Sequence, residues 1–304
     1  METKAVRLYG ANDLRLETFE LPEPTENEVL MRVMTDSLCQ STYKAVRQGK
    51  NHKRVPDDVD KNPVIIGHEM CGEIIKVGKN LTDKWKVGQK VIIQPALKLE
   101  NGHDPGYSYP CIGGAATYAV VPEIVLERGC LLPFEGEGWY KGSLVEAIGC
   151  VLRGFKGLYH TDYENYVRTD GAKRGGKLAI LGGAGPMGLA TAALAAAYAK
   201  SSLVAVVDIN EERLKLAERR YPPKKAAESG AKLVYVNTSG VEDPAKLLRE
   251  LSDGGFDDIF VMVPVGGLFT LAGEIAAEDG CINFFAGPAD HGLTAGINLY
   301  RIHY

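Results

Sequence analysis

Apolar residues fall into two rhythms along this chain. In the first half they come in short runs rich in Val and Ile: KAVRLY (4–9), EVLMRVMTD (28–36), MCGEIIKVG (70–78), KVIIQP (90–95) and ATYAVVP (116–122). Glycine, proline or asparagine punctuates these runs, which predicts short strands in a small, twisted, partly closed β-domain. In the second half, apolar runs alternate with helical patterns. The runs are LAILG (178–182), LVAVVDI (203–209), KLVYVN (232–237), DIFVMVP (258–264) and CINFFAG (281–287). Between them lie PMGLATAALAAAYA, NEERLKLAERR, DPAKLLRELS and GGLFTLAGEIAAE. Such alternation predicts a parallel sheet covered on both faces. The seam falls near residues 142–177, which hold a helix-like SLVEAIGCVLRGF and a polar, glycine-rich connector. The expected domains are 1–153 and 154–304. No internal repeat or low-complexity segment interrupts them.

Composition narrows the class. A length of 304 residues suits two domains, and 45% hydrophobic with 24% charged residues is ordinary globular composition. The net charge of −4 gives no reason to expect nucleic acid or an anionic membrane as partner. Six cysteines, at 39, 71, 111, 130, 150 and 281, include no C-x-x-C pair and read as reduced thiols of a cytoplasmic protein. METKAVRLYG carries charges where a signal peptide needs an apolar core. Leu178 to Ala199 is uncharged and long enough to span a bilayer, but its four glycines and a proline fit a strand, a turn and a helix in series.

That turn is the first chemical signal. Gly183, Gly185 and Gly188 form G-x-G-x-x-G after an apolar strand and at the start of a helix, and Asp208 ends the next strand. The pattern alone is weak; in this context it is a dinucleotide fingerprint. Gly183 is expected to permit the tight turn, Gly185 to let the pyrophosphate approach, and Gly188 to let helix and sheet pack. Pro186 and Met187 open the helix, and its N-terminus offers N–H groups to phosphate. Asp208 would accept from the adenosine ribose hydroxyls and repel a 2′-phosphate, which favours NAD(H) over NADP(H). Arg213 could reach either group.

The second signal is Cys39 with His68-Glu69. A lone Cys is usually a small buried hydrophobe and a lone His usually has a structural role. Their setting says more. NPVIIGHEMCGEIIKVG resembles the zinc signature of the medium-chain dehydrogenase/reductase family, the alcohol and polyol dehydrogenases, matching at Gly67, His68, Glu69, Gly72 and Gly78. VLMRVMTDSLCQS is similar to the strand that delivers the family's first zinc cysteine, and GPMG to its nucleotide turn. The resemblance runs the length of the chain. It implies an α/β protein: a GroES-like twisted β-domain, then a Rossmann doubly wound parallel sheet. It implies one catalytic Zn2+ on Cys39 and His68, with Glu69 as a ligand or exchanging with water. The remaining ligand is Glu146, as in the polyol branch, or Cys150. Thiolate, imidazole and carboxylate are all zinc donors.

Two departures from the family pattern matter. The stretch 94–114 has only Cys111 where many relatives carry four cysteines, so no structural zinc is expected. Ser41 stands where a relay hydroxyl would be, Thr42 replaces the usual acid, and Lys44 takes the place often held by a relay histidine. Ser41, Lys44 and Glu69 are thus the expected catalytic residues.

Lys44, Arg47, Lys50, His52, Lys53 and Arg54 follow the first ligand directly. They are either a solvated loop balanced by Asp57, Asp58 and Asp60 or a phosphate site, with Lys44, His52, Lys53 and Arg54 as candidates. SLCQSTYKAVRQG, HKRVPDDV, IGHEMCGEIIKVG, PGYSYPCIGG and AKLVYVNT resemble the branch of the family that interconverts L-sorbose 1-phosphate and D-glucitol 6-phosphate. The implied partner is a small sugar or sugar phosphate. A zinc polyol dehydrogenase acting on unphosphorylated sugar alcohols, or a nucleotide-binding protein without turnover, would share most of these features. Cys39 with His68-Glu69 disfavours a zinc-free quinone reductase. The second half supplies five strands where a full Rossmann sheet has six, so the sequence is expected to be a C-terminally truncated form of a homo-oligomeric enzyme. His103, His160, His291 and His303 are expected at the surface or in packing, and Cys71, Cys111, Cys130 and Cys281 as buried thiols.

Overall fold

A computed structural model describes residues 1–303. The chain forms two compact units, Met1–Ala147 and a second that begins at Ile148. In the first unit, β1 (Glu2–Gly10), β2 (Asp13–Glu20) and β4 (Val64–Ile65) make a three-stranded sheet in the order β2-β1-β4. The strands β3 (Val29–Asp36), β5 (Met70–Val77), β6 (Lys90–Ile93), β7 (Tyr118–Val121) and β8 (Leu131–Pro133) make a five-stranded antiparallel sheet, β7-β3-β5-β6-β8. Alternation decides its core. Val29 and Met31 pack with Met70, Ile74, Val91 and Val121, while Leu30 turns to the other face with Val120.

The second unit carries a hairpin, β9 (Tyr159–Asp162) with β10 (Val167–Asp170), and then a parallel sheet. Its strands are β11 (Lys177–Leu181), β12 (Leu203–Asp208), β13 (Lys232–Asn237), β14 (Phe256–Val261) and β15 (Ala276–Phe284), in the order β13-β12-β11-β14-β15. This is the doubly wound order, with the reversal beside β11. Both faces are covered. Leu178, Ile180, Val204 and Val206 pack with Val151, Phe155 and Leu214, whereas Ala179, Leu181, Ala205 and Val207 pack with Leu248, Ala272 and Ile275. Strands buried on both sides need apolar residues at every position, which is why they read as runs. No helix among the described residues is long and apolar enough to cross a membrane.

Several elements depart from the expected pattern. The apolar stretch after Pro186 is α-helical only through Leu194; Ala195–Ala199 is a π-helical turn ending at left-handed Lys200. The pattern GGLFTLAGEIAAE is a helix from Gly266 to Ile275, and β15 begins at Ala276, earlier than CINFFAG suggests. β2 has no buried position, so hydrophobic alternation could not announce it; its pairing with β1 makes it a strand. Cys71 and Cys130 are buried, but Cys111 and Cys281 are only half-buried.

His160 does more than pack. Its Nε2 lies 3.0 Å from Asp258 Oδ1 and its Nδ1 3.2 Å from the Asp279 carbonyl. Asp279 Oδ2 accepts from Thr161 N–H at 2.7 Å, and Asp258 Oδ2 from Lys173 N–H at 2.9 Å. The hydrogen bond to Asp258 raises the imidazole pKa above its usual range despite burial. A raised folded-state pKa adds stability in full below the unfolded value, and that stability fades as pH rises through the folded value. His160→Gln is therefore expected to lower Tm by about 2–6 °C near pH 5.5 and by less near pH 9. Calorimetry across that range checks it; an unchanged gap would remove the ionic contribution.

Candidate active site

β3 ends at Asp36, and three residues later Cys39 caps the helix Gln40–Gln48 from an extended conformation (φ −97°, ψ 142°). His68 and Glu69 lie in the corner between β4 and β5, next to Gly67 at φ +91°. The corner brings one donor atom each of Cys39, His68 and Glu69 within 4.8 Å of one another. His68 and Glu69 are buried and Cys39 is half-buried.

The donor set suits zinc, and so does its support. Burial, followed by the charge of Arg54, holds the His68 pKa down to about 4, so the ring is neutral near pH 7, as a ligand must be. Thr42 Oγ1 sits 3.1 Å from His68 Nδ1. With Nδ1–H donated to that hydroxyl, Nε2 keeps its lone pair for a metal. Thr42, which stands in place of an acid, is thus the group that fixes the imidazole. Ser37 Oγ contacts Glu69 Oε2, and the Glu69 N–H donates to Asp36 Oδ1 at 3.0 Å. Burial is the main reason the Asp36 carboxyl is pushed up to about 7. Burial likewise raises the Cys39 thiol pKa in the absence of a cation. A bound metal would reverse that shift.

Ser41 Oγ lies 3.1 Å from Cys39 Sγ, 3.4 Å from His68 Nε2 and 2.7 Å from Tyr107 Oη. Tyr107, in PGYSYPCIGG, belongs to no motif that points to it; it is buried, and its hydroxyl is 3.3 Å from His68 Nε2. One side of its ring stacks with His52 at 5.8 Å, and the Arg54 guanidinium lies 5.0 Å from its centroid. Arg54 Nε pairs with Asp104 Oδ2 at 2.7 Å. Burial and then the charges of Arg54, Lys53 and Lys44 lower the His52 pKa, so the four basic candidates share one neighbourhood. Glu146 is half-buried on the first turn of the helix Val145–Lys156, with its charge felt at Tyr107. Cys150 is exposed on the same helix.

The nucleotide turn belongs to the second unit. The left-handed residue is Gly182 (φ +70°), one position before the glycine to which the motif assigns the turn; Gly183 is crowded instead by Ile180. Both N–H groups donate to the Val207 carbonyl. A Cβ on Gly188 would stand 2.1 Å from the Gly183 carbonyl oxygen, whereas one on Gly185 would meet nothing within 4 Å. Gly188 is therefore required by the turn itself, and Gly185 leaves open space at the helix N-terminus. Pro186 takes the first helical position, and Met187 packs on the core. The Asp208 carboxylate accepts from the N–H groups of Ala184, Ile209 and Asn210 at 3.2, 2.9 and 3.1 Å. Arg213 is exposed, and its backbone N–H donates to Asn210 Oδ1.

The alcohol dehydrogenase GroES-like domain family matches residues 25–128. The chain is also 48% identical over 309 residues to L-sorbose 1-phosphate reductase of Klebsiella pneumoniae, covering 99% of this chain and 73% of that one. It belongs to the zinc-dependent medium-chain dehydrogenase/reductase family. Mannitol-1-phosphate 5-dehydrogenase of Aliivibrio fischeri is 42% identical over 305 residues, covering 100% and 72% of the two chains. The crystal structure of 2R,3R-butanediol dehydrogenase from Bacillus subtilis shares the fold, with a TM-score of 0.76 at 24% identity over 99% of this chain and 81% of that one. Zinc and a nicotinamide nucleotide are the cofactors of this dehydrogenase family.

Thr42→Val is expected to hold zinc about 10–100-fold more weakly, because the imidazole loses its orienting partner; competition with a chromogenic chelator measures this. Gly188→Ala is expected to lower Tm clearly, since the new methyl overlaps a backbone oxygen. Gly185→Ala should leave Tm unchanged and weaken dinucleotide binding about tenfold, read by fluorescence titration.

Proposed function

We propose that the protein reduces a phosphorylated ketose to a polyol phosphate, and runs the reverse oxidation, with L-sorbose 1-phosphate and D-glucitol 6-phosphate as the pair. The observation that carries this reading is the grouping of Cys39, His68 and Glu69 beside a neighbourhood of Lys44, Lys53 and Arg54 charge. The names of the relatives from Klebsiella and Aliivibrio both specify phosphorylated substrates and support it.

Cys39, His68 and Glu69 would hold one zinc, with Glu146 as a further donor and Cys150 as its alternate. Bound zinc supplies Lewis acidity at the substrate oxygen, and the nicotinamide supplies the hydride. The chain's own residues do the rest. Ser41 Oγ holds the proton that the substrate oxygen needs. Tyr107 Oη, 2.7 Å from Ser41 Oγ, orients that hydroxyl and replenishes its proton. Lys44, three residues along the same helix, is the proposed link to solvent. Lys44, His52, Lys53 and Arg54 supply the field for the phosphate. The Gly185–Gly188 turn takes the pyrophosphate, with Asp208 and Arg213 at the adenosine ribose, and Asp208 favours NAD(H) over NADP(H). Six free thiols support a cytoplasmic setting.

The test is oxidation of NADH and NADPH with L-sorbose 1-phosphate, L-sorbose and D-fructose, with and without a zinc chelator. The expected result is turnover of the phosphorylated ketose at least about tenfold above the free sugars, faster with NADH, abolished by chelation and restored by zinc. Equal turnover of the free sugars would make the enzyme an ordinary polyol dehydrogenase.

A further inference from the structure

The basic stretch is not uniform. Lys53 is fully at the surface, while Arg54 is built in. Its backbone carbonyl accepts from Ser108 Oγ at 2.5 Å, and its N–H donates to His52 Nδ1 at 3.3 Å. Its side chain is 30% exposed, and the side chain of its partner Asp104 is 9% exposed. Both Asp104 oxygens are engaged: Oδ2 with Arg54 Nε at 2.7 Å, and Oδ1 with the Leu97 N–H at 2.9 Å. A carboxylate fixed on both oxygens holds the guanidinium in one orientation against the Tyr107 ring. Five N–H groups on a guanidinium leave several beyond the pair for a second anion. Preorganisation of this kind lowers the entropy lost when an anion binds.

The distance to the reacting atoms is set by the same tyrosine. Ser41 and His68 contact the Tyr107 hydroxyl, and Arg54 lies over the ring, 5.0 Å from its centroid. The guanidinium is therefore about one aromatic ring away from the Tyr107 hydroxyl, which in turn contacts Ser41. In a ketose phosphorylated on the carbon next to its ketone, four bonds separate the carbonyl oxygen from phosphorus, which keeps the phosphate close to the reacting carbonyl. When the ester is at the far end of the sugar, seven bonds intervene, and the extended chain carries the phosphate well away from the carbonyl.

We infer that Arg54, oriented by Asp104 and Tyr107, seats the phosphate of a ketose whose ester lies next to the ketone, and that it rejects the distal isomer. Arg54 is the specificity-determining residue and Asp104 its positioning residue. The inference rests on the sugar-phosphate reading above and narrows it. Burial, and after it the charges of Arg54, Lys53 and Lys44, lower the pKa of the neighbouring His52.

Initial rates of the zinc-loaded enzyme with L-sorbose 1-phosphate, L-sorbose 6-phosphate and L-sorbose test it, alongside calorimetric titration with inorganic phosphate. The wild type should prefer the 1-phosphate to the 6-phosphate by at least about tenfold in kcat/KM. Arg54→Gln should cut the ratio of kcat/KM for the 1-phosphate over L-sorbose by about thirtyfold, through KM, and weaken inorganic phosphate to match. Asp104→Asn should move the same ratio in the same direction by about fivefold, again in KM and not kcat. A wild type indifferent to phosphate would sink the sugar-phosphate reading. A wild type that favours phosphate while Arg54→Gln keeps that preference, or that favours the 6-phosphate, would overturn this inference alone. Equal inorganic phosphate binding by wild type and Arg54→Gln would overturn it without recourse to turnover.

Discussion

The chain turns from β4 into β5 on Gly67, and the donor grouping depends on how tightly that corner is packed. A Cβ at Gly67 would stand 2.2 Å from Asp36 Oδ2 and 2.8 Å from the Ala115 nitrogen, so left-handed geometry and lack of space both demand glycine. The same corner bears on the loop that carries Tyr107. A Cβ at Gly106 would lie 2.0 Å from the Gly67 carbonyl oxygen. Two backbones in near contact thus bring His68 and Tyr107 onto the same few ångströms. Asp36 closes the arrangement from below by accepting the Glu69 N–H, a buried donor that would cost about 1–3 kcal/mol if left unmade.

Charge is distributed unevenly around this corner. The imidazole of His68 is kept neutral by burial and by Arg54, while Arg54 itself is balanced by a nearly buried carboxylate. That combination suits a site that needs a neutral ligand and a positive field within a short distance. A free lysine in place of Arg54 would supply charge without orientation, since an ammonium lacks the planar fork. The cost of burying Asp104 is met by two hydrogen-bonding partners, which is the condition under which buried charge is tolerated.

Much of this was legible in the sequence, for identifiable reasons. The parallel strands announced themselves because both faces are buried. Cys39 and His68-Glu69 stand out through a motif whose first glycine, Gly67, is fixed by the contacts just described. Gly188 is demanded by the turn, and the left-handed residue is Gly182, because the strand ends one residue earlier than the motif assumes. β2 escaped notice because its stability comes from pairing with β1 and not from an apolar face. In the sequence Thr42 marks only the loss of an acid, although its hydroxyl contacts the His68 ring. No spacing rule links Arg54 to Asp104, or Ser41 to Tyr107, since those pairs are joined only by the tertiary fold.

The two recognition elements therefore differ in how they are encoded. The nucleotide turn is nearly local: Gly182 to Gly188 shape it, and only the Val207 carbonyl and Asp208 reach it from the neighbouring strand. Such an element can be read from one short pattern, because its geometry is satisfied largely within itself. The donor grouping draws on Asp36–Thr42, Gly67–Glu69 and Asp104–Tyr107, three segments that meet only after both β-sheets of the first unit have formed. Metal chemistry restricts the donors to a thiolate, an imidazole or a carboxylate, whereas a supporting position needs only a hydroxyl, a carboxylate or an open backbone at the right place.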